Sequence, residues 1–543
     1  MGDIHGHLIP RPNLRSDGNG QLEGGLAHMY TLIQEIEADN PRRTLLFNTG
    51  DTIQGGAEAL YTEGQAVVDI LDLFGIDGFA PGNWDYVYGT ERFVELFGSG
   101  RWGAVAMNVY YSDELYPERA GELVLPPYIM KNVNGIRVAI LGISSERAIN
   151  ALGAWRTEGL IFTGEGDELP GWIDVVRNQE RADVVVLLSE YGLAKNIDLA
   201  NRYPGIDVLL SSDMHEETPE PIYSTNGTLI SEAGQDGTQV AEVTLNMRGK
   251  QIVSKEYEWH TVTSESIPAH PLIAAQVEEE RFPFVSDGGF QPHDNPINQT
   301  VLERPIDTVE GYTATGLYRG NFSQEALPGV IEGTSHDFLA DAFRDQAEAD
   351  IGSIRGFRYG THVEPGEILL EDLFHYMPVG PQIAKITILG QQLKNQMENS
   401  ADGAFNDDVF LWTGGWFFGY SGVRADLDPY APKGSRLTNI EVMRWGTNTW
   451  EPLDLTAEYT YAGYWFEQNP QFVNGIMTTG EVDVVTDPMG MTTDATDVVS
   501  RYLVEQGIVE PVTGRINLLE PLPPYLYGNP EIQPLQGVPV GNL

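Results

Sequence analysis

The chain has 543 residues and a formal net charge of −47, because 79 acidic residues face only 32 basic ones. A surface this acidic repels nucleic acid and anionic membranes, which excludes proteins that bind phosphate backbones; a small anionic substrate would need a local positive site. The acidity is equally compatible with a hydrated surface that serves only solubility. The absence of cysteine excludes disulfides, thiolate metal ligands and cysteine nucleophiles. No apolar run of about 18 residues is present, so no membrane span is predicted.

Residues 43–212 alternate short apolar runs with amphipathic stretches, which is typical of an α/β layer. The runs, such as RTLLFNTGD, IRVAILGISS and ADVVVLLSEYG, are rich in Val, Ile and Leu and end in Gly, Asn, Asp or Ser. Buried strands that feed loops have this pattern, so polar side chains should collect where the strands end. Residues 227–262 alternate more regularly and predict antiparallel strands that complete a first domain at residues 1–262.

Three further segments follow this domain. Residues 263–300 predict a linker, with a helix in PLIAAQVEEERFPF and a cluster of Gly, Pro, Asn and Asp towards its end. Residues 301–520 predict an α+β domain whose first helical pattern is SHDFLADAFRDQAEAD. Residues 521–543 repeat Pro and Gly and predict an extended tail.

The first chemical motif begins at residue 3, with neither a strand nor a signal peptide before it. We therefore expect that the natural start lies further upstream and included an export signal. A periplasmic or extracellular location is the corresponding expectation, and the lack of cysteine is compatible with it.

Candidate ligands for divalent metal ions stand at the ends of the predicted strands. Asp3 and His5 lie two positions apart, so on an extended segment both would project to the same side. Such a pair is a weak motif by itself, but the strands that follow end at polar residues of the same kind. These residues are Asp51 in NTGDT, Asn83 and Asp85 in PGNWD, Glu190 in SEYG, and Asp213 and His215 in SDMH.

Ligands bind at the carboxyl ends of strands in α/β sheets, so these residues should converge at one sheet edge. Two neighbouring divalent ions clamp an anionic group and lower the pKa of a water molecule, so the predicted reaction is hydrolysis. The expected arrangement has Asp51 as the bridge, Asp3, His5 and His215 on one ion, and Asn83 with, on weaker grounds, Glu190 and Asp213 on the other.

The order D-x-H, G-D-T, G-N-x-D and x-x-x-H resembles the calcineurin-like metallophosphoesterases, in the branch that contains the 5'-nucleotidases, over nearly the whole chain. The stretches GDTIQGGAEALYTEGQ, GNWDYVYG and GFRYGTHVEPGE are similar to the SoxB thiosulfohydrolase branch of that family. The resemblance implies an α/β fold, with a four-layer αββα catalytic domain followed by an α+β domain of the 5'-nucleotidase C-terminal type. It also implies two divalent ions, expected to be manganese, on Asp3, His5, Asp51, Asn83 and His215.

Trp84 stands where phosphatases of this family carry a catalytic His that helps the leaving group to depart. The resemblance places it with Asp51, Asn83 and Asp85 in the catalytic set. A Trp at this position is similar to the SoxB pattern and favours a substrate whose leaving group needs little protonation. The alternative is that Trp84 only packs.

Glu190 and Asp213 depart from the family, which usually has His at both positions. The shell then holds four carboxylates, which balance two divalent cations and favour hard ions such as Mn, Mg or Ca, with Fe also admissible, over Zn. Without metal the carboxylates repel one another, and at least one should be protonated. A damaged second site that binds one metal or none is the competing interpretation.

Candidate substrate-binding residues come from both domains. Arg355 and Arg358 in GSIRGFR resemble the Arg cluster with which nucleotidases hold an anion; the alternative is a salt bridge to Glu364 or Glu367. His7 is assigned to the same role. Phe417 and Phe418 fall near the base-stacking aromatic of nucleotidases, but the N-G-G-D-G-F motif is absent, which favours core packing for this pair.

The sequence therefore supports three functions. The first is a SoxB-like hydrolase that acts on a sulfur oxyanion group attached to a carrier protein. The second is a 5'-nucleotidase or a related phosphoesterase that acts on a small anionic substrate. The third is a non-catalytic binding or surface protein with a degraded metal site. No oligomeric state is predicted.

Overall fold

A computed structural model describes residues 1–13, 20–164, 166–317, 331–355, 362–413 and 416–520. Its α-helices are α1 (Leu26–Asp39), α2 (Gly56–Tyr61), α3 (Gln65–Leu71), α4 (Thr90–Phe97), α5 (Ala148–Leu152), α6 (Leu169–Asp174), α7 (Leu193–Arg202), α8 (Pro271–Arg281), α9 (Thr334–Gln346), α10 (Leu370–Tyr376), α11 (Gly390–Phe405) and α12 (Ala495–Gln506).

The strands of the first half are β1 (Pro10–Asn13), β2 (Gln21–Gly24), β3 (Phe47–Asn48), β4 (Gly78–Phe79), β5 (Val109–Tyr111), β6 (Tyr128–Val133), β7 (Ile136–Ile143), β8 (Leu160–Phe162), β9 (Val184–Ser189), β10 (Val208–Ser211), β11 (Ile222–Tyr223), β12 (Leu229–Glu232), β13 (Gln239–Arg248) and β14 (Gln251–Thr261).

The strands of the second half are β15 (His293–Asp294), β16 (Val301–Leu302), β17 (Val309–Thr313), β18 (Ile351–Ile354), β19 (Gly366–Leu369), β20 (Gln382–Leu389), β21 (Gly419–Ser421), β22 (Val423–Leu427), β23 (Leu437–Met443), β24 (Trp450–Pro452), β25 (Glu458–Trp465), β26 (Phe472–Val473), β27 (Ile476–Met477), β28 (Asp483–Val484), β29 (Ile508–Val509) and β30 (Ile516–Leu518).

A six-stranded sheet with the order β11-β12-β10-β9-β7-β6 forms the centre of the first half. Strands β7, β9, β10 and β12 are parallel, and β6 and β11 are antiparallel to their neighbours at the two edges. β9 is buried along its whole length, as expected for a continuous apolar run covered on both faces. The expectation that β12 is antiparallel was wrong, because β12 continues the parallel order beside β10. The hairpin of β13 and β14 is antiparallel as predicted.

The first half has the four layers expected for an αββα domain. One face of the six-stranded sheet packs against α6 and α7, where Leu187 contacts the cluster around Ile197. The other face packs against the β13–β14 hairpin, with Ile140 and Val186 buried against Leu245. Helices α1 and α3 lie in a separate core with the ends of that hairpin. Layers of helix, sheet, sheet and helix follow from these burial patterns.

The second half is α+β, as predicted. Helix α8, whose first residue is Pro271, matches the helix expected in the linker, and α9 matches the helical pattern that follows. A five-stranded sheet with the order β21-β18-β25-β20-β28 packs against α9 through Phe343 and Tyr464. The boundaries at 262, 300 and 520 stay predictions, and the tail at residues 521–543 lies outside the described residues.

Ion pairs join the two halves. Arg11 contacts Glu371 and Asp372 at 3.0 and 2.8 Å, and Arg281 contacts Glu371 and Glu58 at 2.8 and 3.1 Å. These side chains are nearly buried, so the pairs are shielded from the water that weakens surface salt bridges. Within the described residues, no helix has both the length and the apolar character needed to cross a bilayer.

Candidate metal centre

Two sheets deliver the candidate ligands. Glu190 follows β9, and Asp213 and His215 follow β10 in the six-stranded sheet. Asp51 and Asn83 follow β3 and β4, which form a separate parallel pair. The expected convergence at one sheet edge is therefore corrected: the ends of two facing strand layers meet. Because the strands in each layer are parallel, the residues that follow them lie at the same side of the layer.

Asp3 and His5 lie in a turn, which corrects the expectation of an extended segment. Their φ angles are +49° and +47°, and their amides donate to the carbonyls of Gly50 at 3.0 Å and Asp51 at 2.9 Å. The turn is required because the chain passes very close to Gly55, where a Cβ would lie 1.7 Å from the carbonyl oxygen of His5. Only glycine permits this approach. The two side chains nevertheless meet in the centre.

The first ligand group consists of Asp3, His5 and His215. Both imidazole Nε2 atoms lie 3.6–3.7 Å from Asp3 Oδ1 and 2.9 Å from each other. On the opposite side of each ring, Nδ1 meets an amide oxygen, Gln54 Oε1 at 2.9 Å for His5 and Gln235 Oε1 at 2.5 Å for His215. An amide oxygen only accepts, so each Nδ1 carries a proton. The two Nε2 atoms then face each other, and in the neutral rings their lone pairs would be stabilised by a cation between them.

The second ligand group consists of Asp3, Asp51 and Glu190, so that Asp3 is common to both groups. Asp51 Oδ2 and both carboxylate oxygens of Glu190 are buried without a hydrogen-bond partner. Burial, and next the charge of Asp3, raises the pKa of Asp51 well above its usual value, and burial with the charge of Asp51 does the same to the pKa of Glu190. Unpartnered buried carboxylate oxygens fit divalent cations, so the residues present suit a dimetal centre.

Two glycines make room for these carboxylates. A Cβ at Gly82 would lie 2.2 Å from Asp51 Oδ1, and a Cβ at Gly50 would lie 2.7 Å from Glu190 Cγ. Gly50 also has a φ of +91°, which favours glycine. The Gly-Asp and Gly-Asn pairs of the sequence therefore act as more than turns, because they allow Asp51 and Glu190 to approach each other.

The loop around Asn83 connects Asp51 of the second group to Asp213, which belongs to neither group. In the orientation that satisfies both of its neighbours, the Asn83 amide donates to Asp213 Oδ1 at 3.1 Å and accepts from Trp84 Nε1 at 3.0 Å. The Trp84 amide donates to Asp51 Oδ1 at 2.7 Å. Asp85 accepts hydrogen bonds from three buried amides, those of Thr52, Ile53 and Gly82, at 2.8–3.1 Å. Asp85 thus holds the loops that carry Asp51 and Asn83.

Arg147 is a residue of the centre that the sequence analysis missed. It follows β7, the strand next to β9, and its guanidinium donates to Asp213 Oδ2. The strand-exit pattern that revealed Glu190 also applies to ISSERAIN, so a sequence signal for Arg147 existed. Gln54 and Gln235 were missed as well, and a lone Gln gives no comparable signal.

His7 lies beside the centre, at the contact between the two halves. Its ring stacks on that of His375 in α10, with the centroids 4.3 Å apart, and its Nδ1 lies 3.3 Å from Asp236 Oδ1. Burial lowers the pKa of His7, and burial together with His7 lowers the pKa of His375 well below its usual value. Neither ring belongs to the two ligand groups. The substrate-binding role of His7 stays a prediction.

The candidate residues of the second half lie around β18 and β21. Arg355 is exposed directly after β18, and Phe417 is buried in the core beside Tyr420. Phe418 packs partly buried against the same core. This placement accords with core packing as the favoured role of the two Phe residues. Arg358 lies outside the described residues.

All five of Asp3, His5, Asp51, Asp213 and His215 have positive φ angles, between +45° and +94°. Such angles are uncommon for residues other than glycine and collect at functional sites. The backbone strain, the unpartnered carboxylate oxygens and the opposed imidazoles coincide at one place in the fold. Together they mark this place as the candidate dimetal centre of a hydrolase.

The comparisons with known proteins agree with this class. Residues 311–471 match the family model of the 5'-nucleotidase C-terminal domain, and the chain has the calcineurin-like phosphoesterase fold. The chain is thus a metal-dependent hydrolase with this fold.

Two curated relatives of the chain differ in the activity that their names state. Endonuclease YhcR of Bacillus subtilis is 22% identical over 76% of this chain, which spans only 33% of that relative. A probable 5'-nucleotidase of Treponema pallidum is 23% identical, over 84% of this chain and 83% of the relative.

Two solved structures from Thermus thermophilus share the fold. The sulfate thiohydrolase SoxB has a TM-score of 0.78 at 24% identity and covers 96% of both chains. A 5'-nucleotidase precursor has a TM-score of 0.78 at 21% identity and covers 96% of this chain and 98% of its own. The fold is therefore equally close to both.

Proposed function

We propose that the chain hydrolyses a thiosulfonate group on a carrier protein, in the manner of the SoxB branch. The observation that supports this is the position of Trp84, whose indole N–H lies against the Asn83 amide beside the metal ligands. An indole does not give up its proton near neutral pH, so Trp84 cannot protonate a leaving group. A substrate whose leaving group is a weak base fits such a centre.

The chemistry of a thiosulfonate meets this condition. Water attacks the sulfonate sulfur of a group R–S–S–SO3⁻, the bond between that sulfur and the adjacent sulfur breaks, and the products are R–S–SH and hydrogen sulfate. The departing sulfur is a much weaker base than the alkoxide that leaves a phosphomonoester. Protonation therefore contributes less to this reaction, which is consistent with Trp84 in place of a histidine.

The ligands prepare the centre for divalent ions, which supply Lewis acidity and a water molecule of lowered pKa when bound. Gln54 and Gln235 hold the His5 and His215 rings with Nε2 directed inward. The Trp84 amide fixes one oxygen of Asp51 and leaves the other facing the centre. We propose manganese as the metal, because carboxylates outnumber imidazoles among the ligands.

The substrate is proposed to enter from the side of Arg355, which offers a fork of donors to an anion. A carrier protein would present the anion on a flexible arm, and a strongly acidic surface would need such local cations to receive it. A periplasmic or extracellular location is proposed with this function.

A 5'-nucleotidase activity is the second candidate. The match of residues 311–471 to the 5'-nucleotidase C-terminal domain favours it. The burial of Phe417 favours the first candidate, because a base-stacking ring must reach solvent.

The two candidates are separated by assays of one preparation loaded with manganese. The substrates are a peptide with a cysteine S-thiosulfonate, AMP, and bis(p-nitrophenyl) phosphate. Sulfate release from the peptide that exceeds phosphate release from AMP by at least about a hundredfold is expected. Phosphate release from AMP at an ordinary enzymatic rate would overturn the sulfur assignment. A manganese content near zero, with no turnover of any substrate, would instead support a non-catalytic protein.

A further inference from the structure

We infer that Arg147 is the cation of the metal centre that receives the oxyanion group of the substrate. The inference rests on the proposed function, since it assigns the residue that recognises the substrate of that same centre. It depends on three features of Arg147, which are its position, its partner and the charge balance around it.

The position of Arg147 places it among the ligands. It follows β7, while Glu190 and Asp213 follow the neighbouring parallel strands β9 and β10, so the three side chains leave the same side of one sheet. The side chain of Arg147 is 13% exposed, whereas that of Asp213 is fully buried. The guanidinium is thus the partner that a molecule arriving from solvent meets first.

The contacts of Arg147 leave part of its donor capacity for a ligand. One terminal nitrogen donates to Asp213 Oδ2, and the other lies 3.7 Å from the sulfur of Met214, which is a weak acceptor. A guanidinium has five N–H donors in a rigid fork. The pair with Asp213 therefore fixes the orientation of the guanidinium and leaves other N–H groups to donate to a ligand.

The charge balance explains why this cation is needed. Asp3, Asp51, Glu190 and Asp213 carry four negative charges when ionised, which two divalent ions cancel. Once the ligand charges cancel those of the ions, no net positive charge remains to attract an anion, in a chain whose formal charge is −47. Arg147 adds one positive charge. The nearby Lys195 does not, because it pairs with Glu146 at 2.7 Å.

A purely structural ion pair is the alternative explanation. In that case Arg147 only neutralises a buried carboxylate, and its removal lowers stability without changing the affinity for anions. The two explanations differ in a measurable way that does not depend on turnover.

The test uses the full chain loaded with manganese and the variants Arg147→Gln and Arg147→Lys. The matched control is Arg101→Gln, which removes an exposed ion pair with Asp72 on another part of the first half. Manganese stoichiometry is measured by elemental analysis, and binding of inorganic sulfate and of inorganic phosphate is measured by calorimetry.

We expect the Gln variant to keep two manganese ions per chain and to bind both anions roughly 10- to 100-fold more weakly, because a charge-assisted fork is lost from a partly buried site. The Lys variant keeps the charge without the fork of donors, so its anion affinity should lie between those of wild type and the Gln variant. If the Gln variant does not fold, the Lys variant still tests the role of Arg147. For the proposed substrate, KM should rise more than kcat falls.

Anion dissociation constants within about twofold of wild type in both variants would overturn the role of Arg147 alone. A wild-type protein that binds fewer than two manganese ions would overturn the charge balance and the proposed dimetal centre together, so the two failures are distinguishable. An equal loss of anion binding in Arg101→Gln would show a general charge effect and would also overturn the inference.

Discussion

Replacement of Asp51 by Asn tests the centre most directly. The Asn side chain keeps an oxygen for the Trp84 amide, which now lies 2.7 Å from Asp51 Oδ1, so the loop should retain its conformation. What changes is the second position, where an unpartnered carboxylate oxygen becomes an NH2 group beside Asp3 and Glu190. The substitution therefore removes a charge at the centre while leaving the backbone in place.

A lower limit for the magnitude follows from Coulomb's law, with the spacing of the ligand atoms, which lie within 4.8 Å of one another, as the length scale. Two unit charges about 4 Å apart interact by roughly 4 kcal/mol at an effective dielectric constant of about 20, and a divalent ion interacts more strongly. Since about 1.4 kcal/mol is a factor of ten, manganese affinity should fall by at least about a thousandfold. At micromolar manganese the variant should release no measurable sulfate from the cysteine S-thiosulfonate peptide.

The assay pairs this hydrolysis with a manganese titration followed by electron paramagnetic resonance. Asp198→Asn is the matched control, because Asp198 forms an exposed pair with Arg202 on α7. The control should behave like wild type, and the melting temperatures of both variants should show that they fold. Near-normal turnover and manganese affinity in Asp51→Asn would refute the assignment of Asp51 as a metal ligand.

Three further results are expected. Gly82→Ala should lower turnover at least about a hundredfold, because its Cβ would displace the Asp51 carboxylate, whereas Gly171→Ala, with open space around it, should not; equal rates would contradict this. Burial raises the pKa of Glu232 from 4.5 to about 8, so in metal-free protein its contribution to stability is full below about pH 4.5 and is lost as the pH rises to 8. Glu232→Gln should therefore remove up to about 5 kcal/mol of the pH-dependent change in the free energy of unfolding, measured with urea, over that interval. An unchanged pH dependence would argue against this cause. Phe417→Ala should destabilise the second half by about 3–5 kcal/mol in thermal unfolding and leave the affinity for AMP, measured by calorimetry, unchanged. A weakened affinity for AMP with unchanged stability would indicate base stacking instead.

The sequence predicted that most of the candidate ligands lie together, because these residues obey one local rule. Asp51, Glu190 and Asp213 each come directly after a short apolar run, and a strand that ends in a polar residue is visible in a single sequence. The helices α8 and α9 were predicted for a similar reason, since an amphipathic period of several turns is a strong signal.

The rest required long-range contacts. The turn at Asp3 and His5 depends on the backbone of Gly55, which is distant in sequence. Gln54 and Gln235 act only through the rings they hold, and a glutamine has no typical spacing from a histidine. The parallel pairing of β12 could not be read from its sequence either, because its four buried residues show no alternation.

The positive φ angles at the ligands have a consequence for protein engineering. Each such angle costs of the order of 1–3 kcal/mol in a residue other than glycine, so the centre is the part of the backbone that thermodynamics favours least. Random substitutions that relieve the backbone strain in these loops would raise the melting temperature and lower the catalytic activity. A library screened only for thermal tolerance should therefore enrich glycine at positions such as Asp213 and deliver robust, inert proteins.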